Sequence, residues 1–452
     1  MISKQKHTAQ TNFFFNLEDT LNKFHPLYIL ANLVDWQLFE DEFTRLYCAD
    51  NGRPAKPIRL MVGLLILKHI RNISDENIVE QWTENLYYQY FCGLQQFSTS
   101  APCVSSELVH FRKRIGEAGV ELIFKESIRI NGDDSNDEDV SVDTTVQEKN
   151  ITFPTDSKLH KKMIKKCLNI AKKEGITLRQ TYTRTLKKLS IDQRFRNHPK
   201  NKGKARKADK KVKTIAGRLV RELQRHLNET SIHEQKLEMF TRVLSQKRNS
   251  KSKIYSLHEP DVVCISKGKE HKKFEFGNKA SFVITRNTGV LVGAMGFRNE
   301  FDGHTLEPAL QQVQKLTGKE PKTSAVDRGY RGNTKIGETN ILIPKPFNDK
   351  KQTKYEQKKL KKAHKQRAAI EPIIGHLKTD HRLGRNFYKG IVGDNINIML
   401  AAAAFNFKRM MNKWKGSFCH FFQTLFNDIF SISNSNSIFS IFSFQKEEKV
   451  LI

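Results

Sequence analysis

Residues 140–146, with the sequence Val-Ser-Val-Asp-Thr-Thr-Val, decide the fold class of this chain. Apolar side chains alternate there with small polar ones, which predicts a β-strand that carries Asp143 on its polar face. An acidic, turn-rich linker at residues 131–139 precedes this strand. The linker therefore separates a new domain from the N-terminal part of the chain.

Further strand patterns lie in the second half of the chain, separated by a helical pattern. They predict a hairpin over 281–285 and 290–296, a helix over 306–316, and strands over 322–327 and 341–344. This order of elements is typical of a mixed α/β sheet. Ligands bind at the ends of strands in such sheets, and Asp327 ends one of these strands.

Residues 1–130 have helical patterns throughout and predict an all-helical N-terminal domain. Ser74 has the features of a helix N-cap because two acids follow it in the first turn. A later helix, beginning near residue 105, carries Arg112 and Arg114. We therefore expect a helix-turn-helix-like DNA-binding module. A packed helical bundle with a solvated basic face is the alternative.

The charge of the chain favours a polyanionic partner. The 452 residues include 78 Lys and Arg against 48 Asp and Glu, so the formal net charge is +30. This excess argues against an acidic metabolic enzyme and favours nucleic acid over an anionic membrane surface.

Two thirds of the net charge lies in residues 158–221, which hold 23 Lys and Arg and three acids. Because apolar residues at helical spacing interrupt the charges, we expect a basic helical insertion over 158–253 with a loop at 197–211. Its role would be to bind DNA phosphates and so to supply affinity, not sequence choice. A solvated charged face is the alternative.

Cysteine usage and hydropathy predict a cytoplasmic protein without a membrane role. The six cysteines form no C-x-x-C pair, which fits a reducing compartment. The N-terminus lacks a secretory apolar core, and the apolar runs are too short to span a bilayer. The tail at 416–452 is rich in Phe, Ser and Asn and has no clear period.

Three acids are candidates for a catalytic site: Asp143 and Asp327 on strands, and Glu371 in a C-terminal helical stretch. Two acids from neighbouring strands and one from a helix would provide the hard oxygen ligands of two Mg²⁺ ions. Such ions activate the attacking oxygen and stabilise the leaving oxygen of a phosphoryl transfer. Taken singly, each acid could instead be a turn residue or part of a surface ion pair.

The spacing of His364, Arg367, Glu371 and Lys378 would place all four on one face of a continuous helix. Pro372 disfavours helical geometry at Glu371, so the helix either bends there or begins there. If it begins there, only Glu371 and Lys378 share a face.

Several segments match a known family. The most specific are Val142-Asp143-Thr144-Thr145, the sequence Val-Asp-Arg-Gly-Tyr-Arg-Gly at 326–332, and Ile-Glu-Pro-Ile-Ile-Gly-His-Leu-Lys at 370–378. Together with N-terminal segments they resemble the DDE transposases of bacterial insertion sequences, in the broad groups numbered four and five. The resemblance covers residues 25–411.

The resemblance implies a ribonuclease-H-like catalytic core within residues 131–415. Its triad would be Asp143, Asp327 and Glu371, binding two Mg²⁺ ions for which Mn²⁺ can substitute. The implied reaction is cleavage at the terminal inverted repeats of an insertion sequence, followed by transfer of the 3′-hydroxyl ends into double-stranded target DNA. A homodimer on DNA is also expected.

The resemblance also implies contacts with DNA phosphates near the cleaved bond. Arg367 and Lys378 match the family's Tyr, Arg, Glu, Lys signature, with His364 at the position of the Tyr. Arg331 and His364 are added to Arg112 and Arg114 as DNA-binding candidates. Two alternatives stay open: a metal-dependent nuclease without strand transfer, and a non-enzymatic basic DNA-binding protein whose acids are structural.

Overall fold

The computed structural model describes residues 16–433, except for 49, 228–231, 248, 267–272, 299, 333 and 345–352. The described residues form two compact units. The first lies within Met1–Ile115, Arg129–Asn131 and Ala403–Ile452, and the second lies within Gly116–Ile128 and Gly132–Ala402.

The first unit, in the part of the chain that the structure describes, is built from helices. Its helices are α1 (Leu17–Thr20), α2 (Pro26–Leu33), α3 (Trp36–Thr44), α4 (Ile58–Arg71), α5 (Asp75–Glu84), α6 (Leu86–Phe91) and the first part of α7 (Ser105–Ile130). Ser74 caps α5 as predicted, because its side chain accepts a hydrogen bond from the backbone N–H of Asn77. Helix α4 is apolar and buried along nearly its whole length.

A buried ion cluster fixes α7 to α4 and α5 within the first unit. Both terminal nitrogens of Arg112 donate to the Asp75 carboxylate at 2.7 Å, and the Lys68 ammonium lies 2.7 Å from the same group. Arg112 is only 5% exposed. The prediction that Arg112 contacts DNA is therefore wrong, since its guanidinium is used inside the unit.

We expect Asp75→Asn to lower the free energy of unfolding of the first unit by about 3–5 kcal/mol at pH 7, because it removes the negative charge that both buried cations contact. Burial alone would raise the pKa of Asp75, but Arg112 and Lys68 outweigh it and lower the pKa to about 2. A depressed carboxyl pKa adds stability that is present above the unfolded pKa and is lost as the pH falls through about 2.

The difference between wild type and Asp75→Asn should therefore narrow between pH 4 and pH 2. Urea unfolding followed by tryptophan fluorescence measures it, because Trp36, Trp82 and Trp414 all belong to the first unit. Asp41→Asn, at an exposed position of α3, is the control and should change little. A difference that is the same at every pH would contradict the role of the charge.

The second unit contains a mixed sheet of seven strands in the described residues. The strands are β1 (Asp139–Glu148), β2 (Val263–Ser266), β3 (Phe274–Thr285), β4 (Leu291–Phe297), β5 (Thr323–Ala325), β6 (Lys335–Ile336) and β7 (Thr339–Leu342). Their order is β2-β3-β1-β5-β7-β6, and β4 also pairs with β3. The central strand β1 is antiparallel to β3 and parallel to β5, which is parallel to β7. This arrangement confirms the predicted mixed sheet and fits a ribonuclease-H-like core.

Four helices between β1 and β2 form a cluster with its own apolar core: α8 (Asp156–Lys173), α9 (Thr183–Asp192), α10 (Pro199–His226) and α11 (Glu234–Ser245). The predicted loop at 197–211 is wrong, because α10 runs through it. Pro199 occupies the first turn of α10, where proline is tolerated, and Ala205, Ala208 and Val212 place one face of the helix in the core.

Further helices of the second unit come after β4 in the chain. They are α12 (Asp302–Thr317), α13 (Lys354–Arg367), α14 (Ile370–Asp380) and the first part of α15 (Gly390–Ser433). Short 3₁₀ helices occupy Gly132–Ser135 and Arg328–Tyr330. Helix α15 continues to Ser433, so part of the predicted 416–452 tail is helical, and the rest lies outside the described residues. The proposed domain limits at 130 and 415 stay predictions.

No helix in the described part of the chain combines the length and the apolar character that a membrane span requires.

Candidate active site

Asp143 lies in the middle of the central strand β1. The residue pairs with Phe282 of β3, and its side chain is 19% exposed. Its Oδ1 accepts a hydrogen bond from the backbone N–H of Thr144. Burial raises the pKa of Asp143 to about 6, with Arg367 and the Thr144 N–H opposing the rise and Asp327 and Glu371 adding to it. The carboxyl therefore loses its proton only near neutral pH.

Asp327 lies beside Asp143 because of the parallel pairing of β1 with β5. Ser141 pairs with Ala325, and each acid lies two residues further along its own strand direction. Asp327 caps the following 3₁₀ helix, since its Oδ1 accepts a hydrogen bond from the Gly329 N–H at 2.8 Å. The sheet therefore brings two acids that are 184 positions apart in the sequence side by side, Asp143 within β1 and Asp327 just past the end of β5.

Glu371 comes to this place from the first turn of α14. The helical stretch is interrupted at residues 368–369, so α14 begins at Ile370 just before Pro372. The second of the two predicted alternatives is thus the observed one, although Arg367 still lies close to Glu371 across the interruption. The Glu371 side chain is 66% exposed.

Arg367, the last residue of α13, lies between two of the acids. Its guanidinium is 3.8 Å from Asp143 Oδ2 and 3.7 Å from Glu371 Oε1, and its side chain is 17% exposed. This partly buried guanidinium thus lies between the strand acid and the helix acid. These contacts show that Asp143 and Glu371 face the same space.

The other predicted DNA contacts differ in their exposure. Both ring nitrogens of His364 are buried, and the ring lies beside the backbone of Ile343. Burial and then Arg367 lower the His364 pKa, which favours a neutral ring. The predicted DNA contact of His364 stays a prediction, because the residue as a whole is partly exposed. Arg331 and Arg114 are exposed, and Lys378 is half-buried. For these three the predicted DNA contact stays a prediction.

A fourth acid, Asp302, was missed by the sequence analysis. It begins α12, and its Oδ1 accepts a hydrogen bond from Thr144 Oγ1 at 2.9 Å and lies 3.0 Å from Lys279 Nζ. Asp302 is 158 positions from Thr144 in the sequence. No spacing rule connects residues so distant, although the position of Asp302 directly after the predicted hairpin placed it near the sheet.

The residues at this site fit a divalent cation by their chemistry. Hard carboxylate oxygens are the ligands that Mg²⁺ prefers. The acids also disfavour each other's charge, because Asp327 and Glu371 both raise the pKa of Asp143. In the described residues no three His, Cys, Asp or Glu side chains converge closely enough to hold a metal ion, and the Arg367 guanidinium supplies the positive charge.

Comparisons with known proteins match two segments of the chain. Residues 15–114 match a family model described as "Transposase domain (DUF772)", and residues 333–411 match one described as "Transposase DDE domain". The second match includes Arg367, Glu371 and Lys378. "Uncharacterized protein ORF8 in nfe locus" of Rhizobium meliloti is 42% identical over 187 residues, covering 40% of this chain and 90% of the relative. No solved structure matches the chain.

Proposed function

Because the chain belongs to the DDE transposases of insertion sequences, we propose that it cleaves DNA at the terminal inverted repeats of such an element and joins the 3′-hydroxyl ends to target DNA. The reaction would be metal-dependent phosphoryl transfer. The proposal includes membership of the broad groups numbered four and five, and a homodimer that holds two ends together.

One observation carries this proposal: Arg367 contacts both Asp143 and Glu371, while Asp327 lies beside Asp143. Asp143, Asp327 and Glu371 would hold the divalent cations. When bound, two such ions activate the attacking oxygen and stabilise the leaving oxygen of an in-line displacement. The same carboxylates can serve cleavage and joining, since only the nucleophile changes from water to a DNA hydroxyl.

The residues of the chain itself would perform three tasks. Asp143 must be deprotonated to bind a cation, which its pKa of about 6 permits at neutral pH. Arg367 is positioned to transfer its guanidinium from the carboxylates to a DNA phosphate, for which its planar fork is suited. Lys378 and Arg331 would contact phosphates further from the cleaved bond.

The basic face of α10 is proposed as the surface that binds the DNA backbone. At 1.5 Å per residue this 28-residue helix is about 42 Å long, somewhat more than one turn of B-DNA. Its apolar side is buried, whereas its other sides expose a dense set of cations: Lys200, Lys202, Lys204, Arg206, Lys207, Lys210, Lys211, Lys213, Arg218, Arg221 and Arg225. Arg114 of the first unit is a further candidate contact.

An assay of joined products tests the proposed reaction. The full-length protein is incubated with Mg²⁺, a labelled DNA that carries the inverted repeats flanking its gene, and an unlabelled plasmid. We expect label at 3′ ends to become covalently joined to the plasmid. Nicked DNA without joined product would support a nuclease instead, and intact DNA that is bound by the protein would support a non-enzymatic role.

Arg367→Gln is expected to lower strand cleavage about 10²-fold, the usual cost of removing one group that stabilises charge at a phosphoryl centre. The variant removes the cation that offsets Asp143 and Glu371, and also a phosphate ligand. Initial rates of cleavage at saturating DNA measure this effect. Lys365→Gln removes the same charge from an exposed position of α13 and should change the rate little. Equal rates for Arg367→Gln and wild type would exclude Arg367 from the site.

A further inference from the structure

The two carboxylate oxygens of Asp302 differ in their contacts. Described residues donate hydrogen bonds to Oδ1 and not to Oδ2. Thr144 Oγ1 and Lys279 Nζ both contact Oδ1. No described residue donates a hydrogen bond to Oδ2. Because two donors on different strands fix the carboxyl group, Oδ2 is held in a defined position at the start of α12.

The Oδ2 atom of Asp302 lies close to Gly329. A Cβ atom at Gly329 would lie 2.9 Å from Asp327 Oδ1 and 3.2 Å from Asp302 Oδ2. Two carboxylate oxygens from different elements therefore lie within 3.2 Å of one point beside this glycine. Any side chain at position 329 would push against both acids, so glycine at this position lets the two carboxylates lie close to the backbone here.

Tyr330 provides an independent observation at the same place. Its side chain is completely buried, and its hydroxyl, which lies beside the Thr144 side chain, makes no hydrogen bond of good geometry to a residue that the structure describes. Burial is the main cause that raises the pKa of Tyr330. The negative charges of Asp302, Asp143 and Asp327 raise this pKa further. The hydroxyl is thus a buried donor among the acids, where it can bind a water molecule or a carboxylate oxygen.

We propose that Asp302 is a fourth carboxylate of the metal site, which together with Asp327 binds a divalent cation beside Gly329. The inference rests on the proposed function, since it adds a ligand to the same site. Mg²⁺ commonly takes only one or two carboxylates from a protein and keeps several waters, so two acids suffice. The Tyr330 hydroxyl pairs with a water held there, and Lys279 and Thr144 position Asp302.

Binding of Mn²⁺ to the full-length, DNA-free protein tests the inference without measuring activity. Electron paramagnetic resonance of free Mn²⁺ gives the isotherm for wild type and variants. Asp302→Asn is expected to weaken Mn²⁺ binding about tenfold or more, as for loss of a metal-site residue. Glu307→Gln removes an exposed carboxylate from the same helix and should leave the isotherm unchanged.

A purely structural role for Asp302 gives a different result. Asp302→Asn would then lower the melting temperature in EDTA, while Mn²⁺ would bind and stabilise the variant as it does wild type, which would overturn the inference.

Tyr330→Phe keeps the ring and is the second variant, for the case in which Asp302→Asn does not fold. It should weaken Mn²⁺ binding several-fold without lowering the melting temperature in EDTA, and an unchanged isotherm would overturn the inference.

Asp143→Asn separates this inference from the proposed function. Suppose that Asp143→Asn weakens Mn²⁺ binding while Asp302→Asn and Tyr330→Phe do not. The proposed site of Asp143, Asp327 and Glu371 is then supported, and Asp302 is rejected as a ligand. If Asp143→Asn binds Mn²⁺ as wild type does while Asp302→Asn binds it more weakly, the proposed function is contradicted and the role of Asp302 stands. If wild type binds no Mn²⁺, both are contradicted.

Discussion

Replacing Asp143 by Asn is expected to abolish cleavage and joining of DNA, with rates lower by on the order of 10³-fold or more. The variant keeps the size of the side chain but removes the charge at the centre of the acid group, which the site needs to hold a divalent cation. Binding of DNA should persist, because the proposed binding surfaces are the basic residues of other elements. Mobility shifts and single-turnover cleavage measure the two properties on the same preparation.

Asp133→Asn is the matched control for this prediction. Asp133 is an exposed acid in the short helix before β1, and its replacement should leave the cleavage rate unchanged. If Asp143→Asn binds DNA but neither nicks nor joins it, a non-enzymatic DNA-binding role is excluded. Cleavage by Asp143→Asn at the wild-type rate would reject the proposed site.

The second large effect is expected on the basic face of α10. Changing Arg206, Lys210, Lys213 and Arg221 to Gln removes four exposed cations that lie along one side of this helix. Each phosphate contact contributes about 0.9 to the slope of log affinity against log salt, so the loss at 0.1 M salt should be on the order of 10³-fold. The slope itself should fall by about 3–4. Fluorescence anisotropy with labelled DNA at several salt concentrations measures both.

A second quadruple variant controls for net charge alone. Lys125, Lys319, Lys335 and Lys389 are exposed and lie on other elements, and their change to Gln lowers the net charge by the same amount. We expect a much smaller loss of affinity and little change of slope. Equal losses in the two variants would show that α10 is not a specific binding surface.

The strands of the sheet could be predicted from the sequence because each is a local pattern. Alternation at 140–146 gave the position of Asp143 on β1, and the apolar run at 322–326 placed Asp327 at a strand end. The registers between strands complete this part of the site, since parallel pairing of β1 with β5 brings the two acids together. Local patterns cannot specify partners far apart in the chain, and for that reason Asp302 was missed.

The predictions for the helical regions that were wrong failed because they also depended on contacts between distant parts of the chain. The pattern of charges along a helix does not show which cations form buried ion pairs. Arg112 forms such a pair with Asp75, which lies 37 residues earlier in the sequence. The high charge of residues 197–211 obscured the regular spacing of Ala205, Ala208 and Val212, which form the buried side of α10. At Glu371 the sequence left two alternatives, and the interruption at residues 368–369 decided between them.

Anomalous diffraction from crystals of the protein with a DNA end and Mn²⁺ tests the central claim most directly. The claim is that Asp143, Asp327 and Glu371 act together as ligands of divalent cations at the cleaved phosphate. We expect Mn²⁺ peaks in contact with the Asp143 carboxylate, shared with Asp327 and Glu371, and the Arg367 guanidinium moved to a phosphate. Saturating Mn²⁺ without any peak at Asp143, with Arg367 still between Asp143 and Glu371, would contradict the claim.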